Sequence, residues 1–314
     1  MQWTTQGLQR VEDLVSDYRL RGAKPLEAEK LRMIGVQGKD VYNIAGPIKD
    51  DGEWVIPGRV ESRDSEISEI QFFVQRGEAW EPRIGAPVYA LQDPFFTFIG
   101  GELVLGGVQT FPHPEREGHL GWRTVMMKGA SIAELKPFFQ GPDFMKDLRL
   151  VELADGGIGI FTRPQGAKGG RGQIGFARVD RLADLSIQVV DDAPVFDQFV
   201  IEEWGGANEI HQLSNGKLGV LGHIACFCDS GNRHYYPMVF AVDPQTGDYT
   251  PMEIIAERDD FEPGPAKRPD LVDVVFSGGL HRRSDGTADL YAGTSDAEAQ
   301  VLRIPDPFLK YEQA

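Results

Sequence analysis

A two-residue turn signal recurs five times along this chain, and it leaves little room for anything but an all-β fold. The turns are Asp51-Gly52, Gly100-Gly101, Asp155-Gly156, Asn215-Gly216 and Asp285-Gly286. Each leads into a short apolar run such as Trp54-Val55-Ile56, Leu103-Val104-Leu105 or Leu218-Gly219-Val220-Leu221. Asn, Asp and Gly tolerate the positive φ that tight turns need, so each unit reads as a β-hairpin. The second turn residues stand 49 to 70 positions apart. Strand repeats of that length without helices point to radial repetition, so the spacing predicts a five-bladed β-propeller. All 314 residues are expected in one domain, since closed all-β folds often run that long. Residues 1–40 precede the first unit and read as an extension that packs on or closes the propeller. Within it, residues 9–18 have the pattern of a short amphipathic helix.

Composition narrows the partners. A formal net charge of −16 argues against nucleic acid, whose backbone rewards a basic surface, and against an anionic membrane. No stretch approaches the ~18 apolar residues of a membrane span. Residues 1–22 lack the apolar core of a signal peptide, which makes a cytoplasmic location the expectation. Cys226 and Cys228, the only cysteines, stand two apart on an expected strand. That spacing suits neither a disulfide nor a full metal site, so they read as core thiols in a reducing compartment. His211, His223 and His281 show no metal-ligand spacing, and no metal is expected. The run Gly169-Gly170-Arg171-Gly172-Gln173 lacks the Lys-Ser/Thr of a phosphate loop and reads as a loop at the mouth of a pocket.

Polar clusters recur in phase with the turns. The first unit has Tyr42-Asn43 and, after its turn, Arg59-Val60-Glu61; the second has Gln92-Asp93-Pro94-Phe95. The third carries Lys146-Asp147 and Arg149, with Arg163-Pro164 on its return strand. The fourth has Ala207-Asn208-Glu209 returning to Gly222-His223, and the fifth runs from Gly278-Gly279 to His281 and closes at Tyr291 to Asp296. One such cluster is the ordinary habit of Asp and Asn at strand ends. Five in phase place polar side chains around one channel.

These motifs resemble the furanosidase-type five-bladed propellers, and most closely the β-mannoside phosphorylases and their hydrolase relatives. The resemblance covers about residues 40 to 300. It implies a carbohydrate-active enzyme, an inverting glycoside hydrolase or phosphorylase acting on a small oligosaccharide or glycoside. Inorganic phosphate is the co-substrate if it is a phosphorylase, and no other cofactor is implied. The alternative is a non-catalytic propeller that binds a sugar or a protein. The sequence departs from the family at Phe95, where an Arg is usual, and at Gln92, where Glu is usual.

Inverting cleavage needs an acid and a base about 6.5–9.5 Å apart, which carboxylates on different blades can supply. The resemblance places the catalytic acid at Asp93. Glu209 is the second candidate, because the fourth blade supplies the acid in arabinanase-like relatives. Asp147, flanked by Lys146 and Arg149, suits a base or an orienting group. Substrate contacts are expected from Asn43, Arg59, Glu61, Lys146, Asn208, His223, His281 and Asp296. Arg123, Arg149 and Arg163 add bidentate donors for an anion. Glu61 falls in a dense charged stretch read as a loop over the pocket. Trp122 is the leading stacking platform, with Trp204, Tyr235, Tyr236 and Phe95 as further aromatic candidates.

Overall fold

The structure, a computed structural model, describes residues 7–22 and 25–313. Its strands fall into five antiparallel meanders. The first contains Asp40–Tyr42, Ile48–Asp50, Glu53–Glu61, Ser68–Arg76 and Ala79–Pro82. The second runs through Gln92–Ile99, Glu102–Pro112, Leu120–Gly129 and Lys136–Gln140. Arg149–Glu152, Ile158–Thr162 and Gly175–Val179 make the third. The fourth comprises Trp204–Gln212, Leu218–Phe227, Arg233–Val242 and Glu253–Ile254. The fifth is Asp273–Arg282, Thr287–Thr294 and Glu298–Pro305, completed on its outer edge by Glu27–Lys30 from the N-terminal region. Fourth and fifth are stitched by a short parallel pairing of His234 with Asp273 and Tyr235 with Val274.

All five turn signals close hairpins, but not by one geometry. Asp51 and Gly52, like Gly100 and Gly101, both have positive φ, as a two-residue turn requires. In the other three only the glycine does, and the loop is longer: Leu153 bonds Gly157, Leu213 bonds Lys217 and Arg283 bonds Thr287. Asp155, Asn215 and Asp285 keep negative φ there and instead accept backbone N–H bonds two residues on.

Five apolar clusters lie between the meanders, four joining neighbours in chain order and the fifth joining the first meander to the last. Ile48, Phe72 and Val74 meet Leu103, Leu105 and Met127 between the first and second. Phe95, Val104 and Met126 meet Leu150 and Ile160 between second and third. Phe161 and Phe176 meet Val220 and Phe240, and Leu221 and Val239 meet Leu290 and Leu302. The last cluster brings Val41, Ile44, Val60 and Phe73 of the first meander against Ala299, with Tyr291 alongside. The ring is therefore closed. This final seam draws few large side chains from the fifth meander, and backbone contact replaces them. A Cβ on Gly278 would stand 1.5 Å from the Ile44 carbonyl oxygen, and one on Gly279 would stand 2.4 Å from the Gly46 nitrogen.

The helix expected over 9–18 spans Val11–Arg21. Val11, Leu14, Val15 and Tyr18 form its buried stripe and join the third–fourth cluster. The Glu203 carboxylate accepts the Val11 N–H at 3.0 Å, and Gly22 ends the helix in the left-handed conformation. One expectation needs correcting. Cys226 and Cys228 are free but only half-buried, because they lie where their strand runs out of the core toward the rim.

Gly278→Ala should destabilise the fold by at least about 2 kcal/mol, because a packed backbone rather than a flexible side chain opposes the methyl group. Chemical denaturation of the purified variant measures this. Wild-type stability would show that the seam can open to admit a side chain.

Candidate active site

The inner strands place polar residues together by departing from regular strand geometry. Asn43, Asp93, Asp147 and Asp296 all have positive φ, between 43° and 60°. Such backbone is costly for residues with a Cβ and clusters at functional sites. β-bulges interrupt the inner strands between Gln92 and Phe95, Ala207 and Glu209, and Ser277 and Gly279. A bulge re-aims side chains, and here it sets Asn208 against His223.

Asn43, Arg59, Asp93, Lys146, Arg163, His223 and Asp296 line one cavity of about 230 Å³. A wider chamber of about 560 Å³ adjoins it, lined among others by Trp122, Arg171, Trp204 and Phe227. Glu66, Gln92, Lys146, Arg163, Arg233 and Tyr235 border both spaces. The site is thus a narrow polar well opening into an aromatic antechamber.

Asp93 is gripped on one side only. Asn43 Nδ2 donates to its Oδ1 at 2.8 Å and Arg59 Nη1 at 3.0 Å. Both donors take the same oxygen, and Oδ2 makes no hydrogen bond among the described residues. Arg59 is locked in turn, donating to Ser68 Oγ at 2.9 Å and Glu61 Oε2 at 2.6 Å and lying over the Tyr42 ring. Burial opposes its charge, but Asp93, Tyr42 and Glu61 overcome that and hold the guanidinium protonated. Glu61 is buried at the end of its strand rather than in a loop, and it also accepts from Tyr42, Ser68 and Lys267. Burial would raise its pKa, yet Arg59, Lys267 and Ser68 bring it down to about 2.

Just ahead of the third meander, Asp147 Oδ2 faces Arg163 Nη1 at 3.4 Å and its Oδ1 lies 3.7 Å from Arg149. Burial alone would raise this carboxyl; Arg163, Lys146 and Arg149 reverse the effect and hold it at about 2. Burial pushes His223 down to about 3, so the ring is neutral at pH 7. Its Nδ1 lies 2.8 Å from Asn208 Oδ1, and its face stacks on Tyr235. With the amide so oriented Nδ1 carries the proton, which leaves Nε2 as an acceptor. Burial raises the Asp296 carboxyl, Arg59 opposes this, and nearby Asp93 raises it further.

Several of these groups lack complete partners. Asn43 Oδ1, Asp147 Oδ2, Arg163 Nη1 and Asn208 Nδ2 are buried and make no hydrogen bond among the described residues. Lys146 lines both spaces and makes no hydrogen bond or close ion pair among the described residues. Of the buried groups, Asn43 and Arg163 line the well, while Asp147 Oδ2 and Arg163 Nη1 face each other as an ion pair.

Of the expected residues, Glu61, Asp147, Arg149 and Asn208 are buried without lining either space, and three more lie elsewhere. Glu209 sits past the bulge, where its Oε2 accepts the Leu280 N–H at 2.6 Å and pairs with His211 at 2.8 Å, so it does not line the well. His281 is exposed beside Trp54. It stands five residues past Phe276, roughly 16 Å farther along the strand. Arg123 is drawn out to Asp143 at 3.1 Å and lies over the Phe111 ring. Arg149 acts from behind the wall: it donates to the Asn208 carbonyl at 2.8 Å and rests 3.8 Å over Phe95. Phe95 is therefore a seat for Arg149 rather than a platform for a sugar. Tyr235, one of the expected aromatic contacts, lines both spaces, whereas Gln92, Arg233 and Arg268 line the well and Lys267 supports it without having been assigned to the site from the motifs. Lys267 is 206 positions from the Glu61 it pairs with, and no local pattern signals such a contact. Among the described residues no group of three or more His, Cys, Asp or Glu could hold a metal, and no helix is long and apolar enough to cross a membrane.

Residues 19–310 match the family described as "Protein of unknown function (DUF1861)". The chain belongs to this family. No curated protein sequence matches it. Among solved structures it is 32% identical to MPT-4, a mannose phosphorylase from Leishmania mexicana in complex with phosphate ion. The TM-score is 0.88, with 96% of this chain and 94% of that one covered. It is equally 32% identical to MPT-1, a GDP-Man-dependent mannosyltransferase from the same organism, at a TM-score of 0.84 and 95% coverage of both chains. The β-1,2-mannobiose phosphorylase of Listeria innocua is 14% identical, with a TM-score of 0.62 over 92% of this chain and 94% of that one, a likeness of fold alone.

The depressed Glu61 carboxyl is expected to make stability pH-dependent. A carboxyl depressed from 4.5 to about 2 stabilises fully above about pH 4.5, and this is lost as pH falls toward 2. At ~1.4 kcal/mol per unit, about 3 kcal/mol is involved. Urea unfolding from about pH 5 to 2.5 should show a flatter dependence for Glu61→Gln than for wild type. Parallel curves would show that Glu61 gains nothing from its neighbours.

Proposed function

We propose that this protein is an inverting mannoside phosphorylase, with its five meanders acting as the blades of a five-bladed propeller. The observation that carries the reading is the narrow well: Asn43, Arg59, Asp93, Lys146, Arg163, His223 and Asp296 line one space, and Asn43 Oδ1 and Arg163 Nη1 are buried without a hydrogen bond among the described residues. The 32% identity to a mannose phosphorylase over nearly the whole chain supports the choice of mannose and of phosphate.

In this reading the well takes one mannosyl ring, and the antechamber takes the leaving portion of a small oligosaccharide against Trp122 and Trp204. Asp93 supplies the proton that the departing glycosidic oxygen acquires, because its Oδ2 is free while Oδ1 is held. Inorganic phosphate docks on Lys146 and Arg163, and His223 Nε2 accepts a proton-bearing phosphate oxygen or a sugar hydroxyl. Phosphate oxygen then attacks the anomeric carbon from the face opposite the breaking bond. One C–O bond forms as the other breaks, giving an α-configured sugar 1-phosphate and a free acceptor. Asp147, Arg149 and Asn208 position the wall against which phosphate binds, and Asp296 faces the sugar. A phosphorylase needs no carboxylate base, because phosphate replaces the activated water, and this fits the placement of Glu209 outside the well.

The equal identity to a mannosyltransferase favours a second reading, in which GDP-mannose donates the mannosyl group and the aromatic antechamber holds the nucleotide.

Incubating the protein with β-1,2-mannobiose and phosphate, or with GDP-mannose and mannose, separates the two. Phosphorolysis should release mannose 1-phosphate, and Asp93→Asn should slow it by about 10²–10⁴-fold. Lys146→Met should raise the KM for phosphate about tenfold or more with a smaller change in kcat, as loss of a charge-assisted contact implies. Mannan oligomers formed from GDP-mannose, without phosphorolysis, would establish the transferase. No product in either assay, together with no mannose binding by calorimetry, would overturn both readings.

A further inference from the structure

Outside the well, one nucleophile has its own supporting pair. Cys228 ends the rim of the fourth meander: its N–H bonds the Asn232 carbonyl, and its thiol lies 2.9 Å from Ser230 Oγ. The strand register sets Cys226 opposite His234 and Phe227 opposite Arg233, which puts Cys228 diagonal to His234 on the same face. Diagonal cross-strand neighbours are within reach of a long side chain. The far side of the imidazole is fixed, since His234 Nδ1 lies 2.5 Å from Asp273 Oδ2. Asp273 is itself held by the Tyr236 hydroxyl at 2.9 Å. His234 Nε2, on the side away from Asp273, has no hydrogen bond of standard geometry among the described residues. The carboxylate orients the imidazole, and Cys228 shares the face on which the other imidazole nitrogen is left open, the set of groups that activates a cysteine nucleophile. Ser230, with His234 nearby, lowers the Cys228 thiol to about 6, whereas burial raises Cys226 to about 11. The two thiols are thus set apart by their surroundings.

We propose that Cys228 is a modification site for low-molecular-weight disulfides, with His234 and Asp273 holding it as the attacking thiolate. The Cys228 sulfur attacks one sulfur of the disulfide and a new S–S bond forms. The original S–S bond breaks, and the released thiolate takes the proton of the His234 imidazolium. Cys228 is oxidised to a mixed disulfide as the departing half is reduced, and a second thiol reverses the exchange. Phe227 and Arg233, which flank the site in the strand pair, line the wider chamber, so the attached group stands at its entrance. The inference does not depend on the reaction proposed for the well.

The test uses the intact protein and 4,4′-dithiodipyridine, with the released thiopyridone followed across pH. Lowered basicity weakens a nucleophile as well as ionising it, so the midpoint of the pH profile is the readout rather than the rate at neutral pH. A fast phase with a midpoint near 6, kept in Cys226→Ser, absent in Cys228→Ser and shifted toward the ordinary thiol value of about 8.5 in His234→Asn, is expected. At about pH 5.5 the fast phase should exceed a free model thiol by roughly tenfold. Mass spectrometry after oxidised glutathione should find one adduct, on Cys228. A midpoint at or above about 8, or an undiminished fast phase in Cys228→Ser, would overturn the proposal.

Discussion

A ring of sheets has one seam that the order of the chain does not build, the place where the last meander must meet the first. Here that seam rests on backbone contact. Gly278 and Gly279 lie against Ile44, Ala45 and Gly46 at distances that admit no side chain. Glu27–Lys30, from before the first meander, adds the outer strand of the fifth and ties the two ends of the chain together. Every other element of the site depends on this closure. Arg59 from the first meander, Asp93 from the second and Asp296 from the fifth can share one well only because the circle is complete.

Closure also creates an electrostatic problem, since it buries several ionised groups in a small volume. Each is met by a partner from another part of the chain. Arg59 is flanked by Glu61 and Asp93, Glu61 by Lys267, and Asp147 by Arg163 and Arg149. Such pairs seldom add net stability over apolar packing, but removing one member leaves a buried charge exposed to a low-dielectric interior. Their value lies in holding side chains still. Asp93 keeps one oxygen free because the other is taken twice, and His223 keeps one nitrogen free because Asn208 takes the other. Lys146, at the boundary of the well and the antechamber, makes no hydrogen bond or close ion pair among the described residues.

Much of this was legible from the sequence, for physical reasons that can be named. The five turn signals marked five hairpins, because tight turns demand residues that accept positive φ. The glycines of all five do adopt it, although Asp155, Asn215 and Asp285 serve through side-chain bonds instead. The in-phase polar residues Asn43, Asp93, Lys146, His223 and Asp296 do meet at one cavity, since each inner strand presents its opening residues to the same channel. Phase alone misled at Glu209, because a single bulged residue turned Asn208 toward His223 and left Glu209 beyond it. It misled at His281 too, which lies on the right strand but too far along it. Arg123 was drawn outward by Asp143, a partner that strand phase does not reveal.

The sequence by itself determined the all-β class, the number of hairpin units and the set of polar residues that open each inner strand. Turn chemistry and strand periodicity are local, and a few neighbouring residues suffice to specify them. Only the tertiary structure decided which polar groups are paired, which are left free and how the charged states are tuned. Lys267 reaches Glu61 across 206 residues, and Arg149 secures a backbone carbonyl in the next meander. Electrostatic tuning depends on distance and burial in space, and these exist only once the ring has closed.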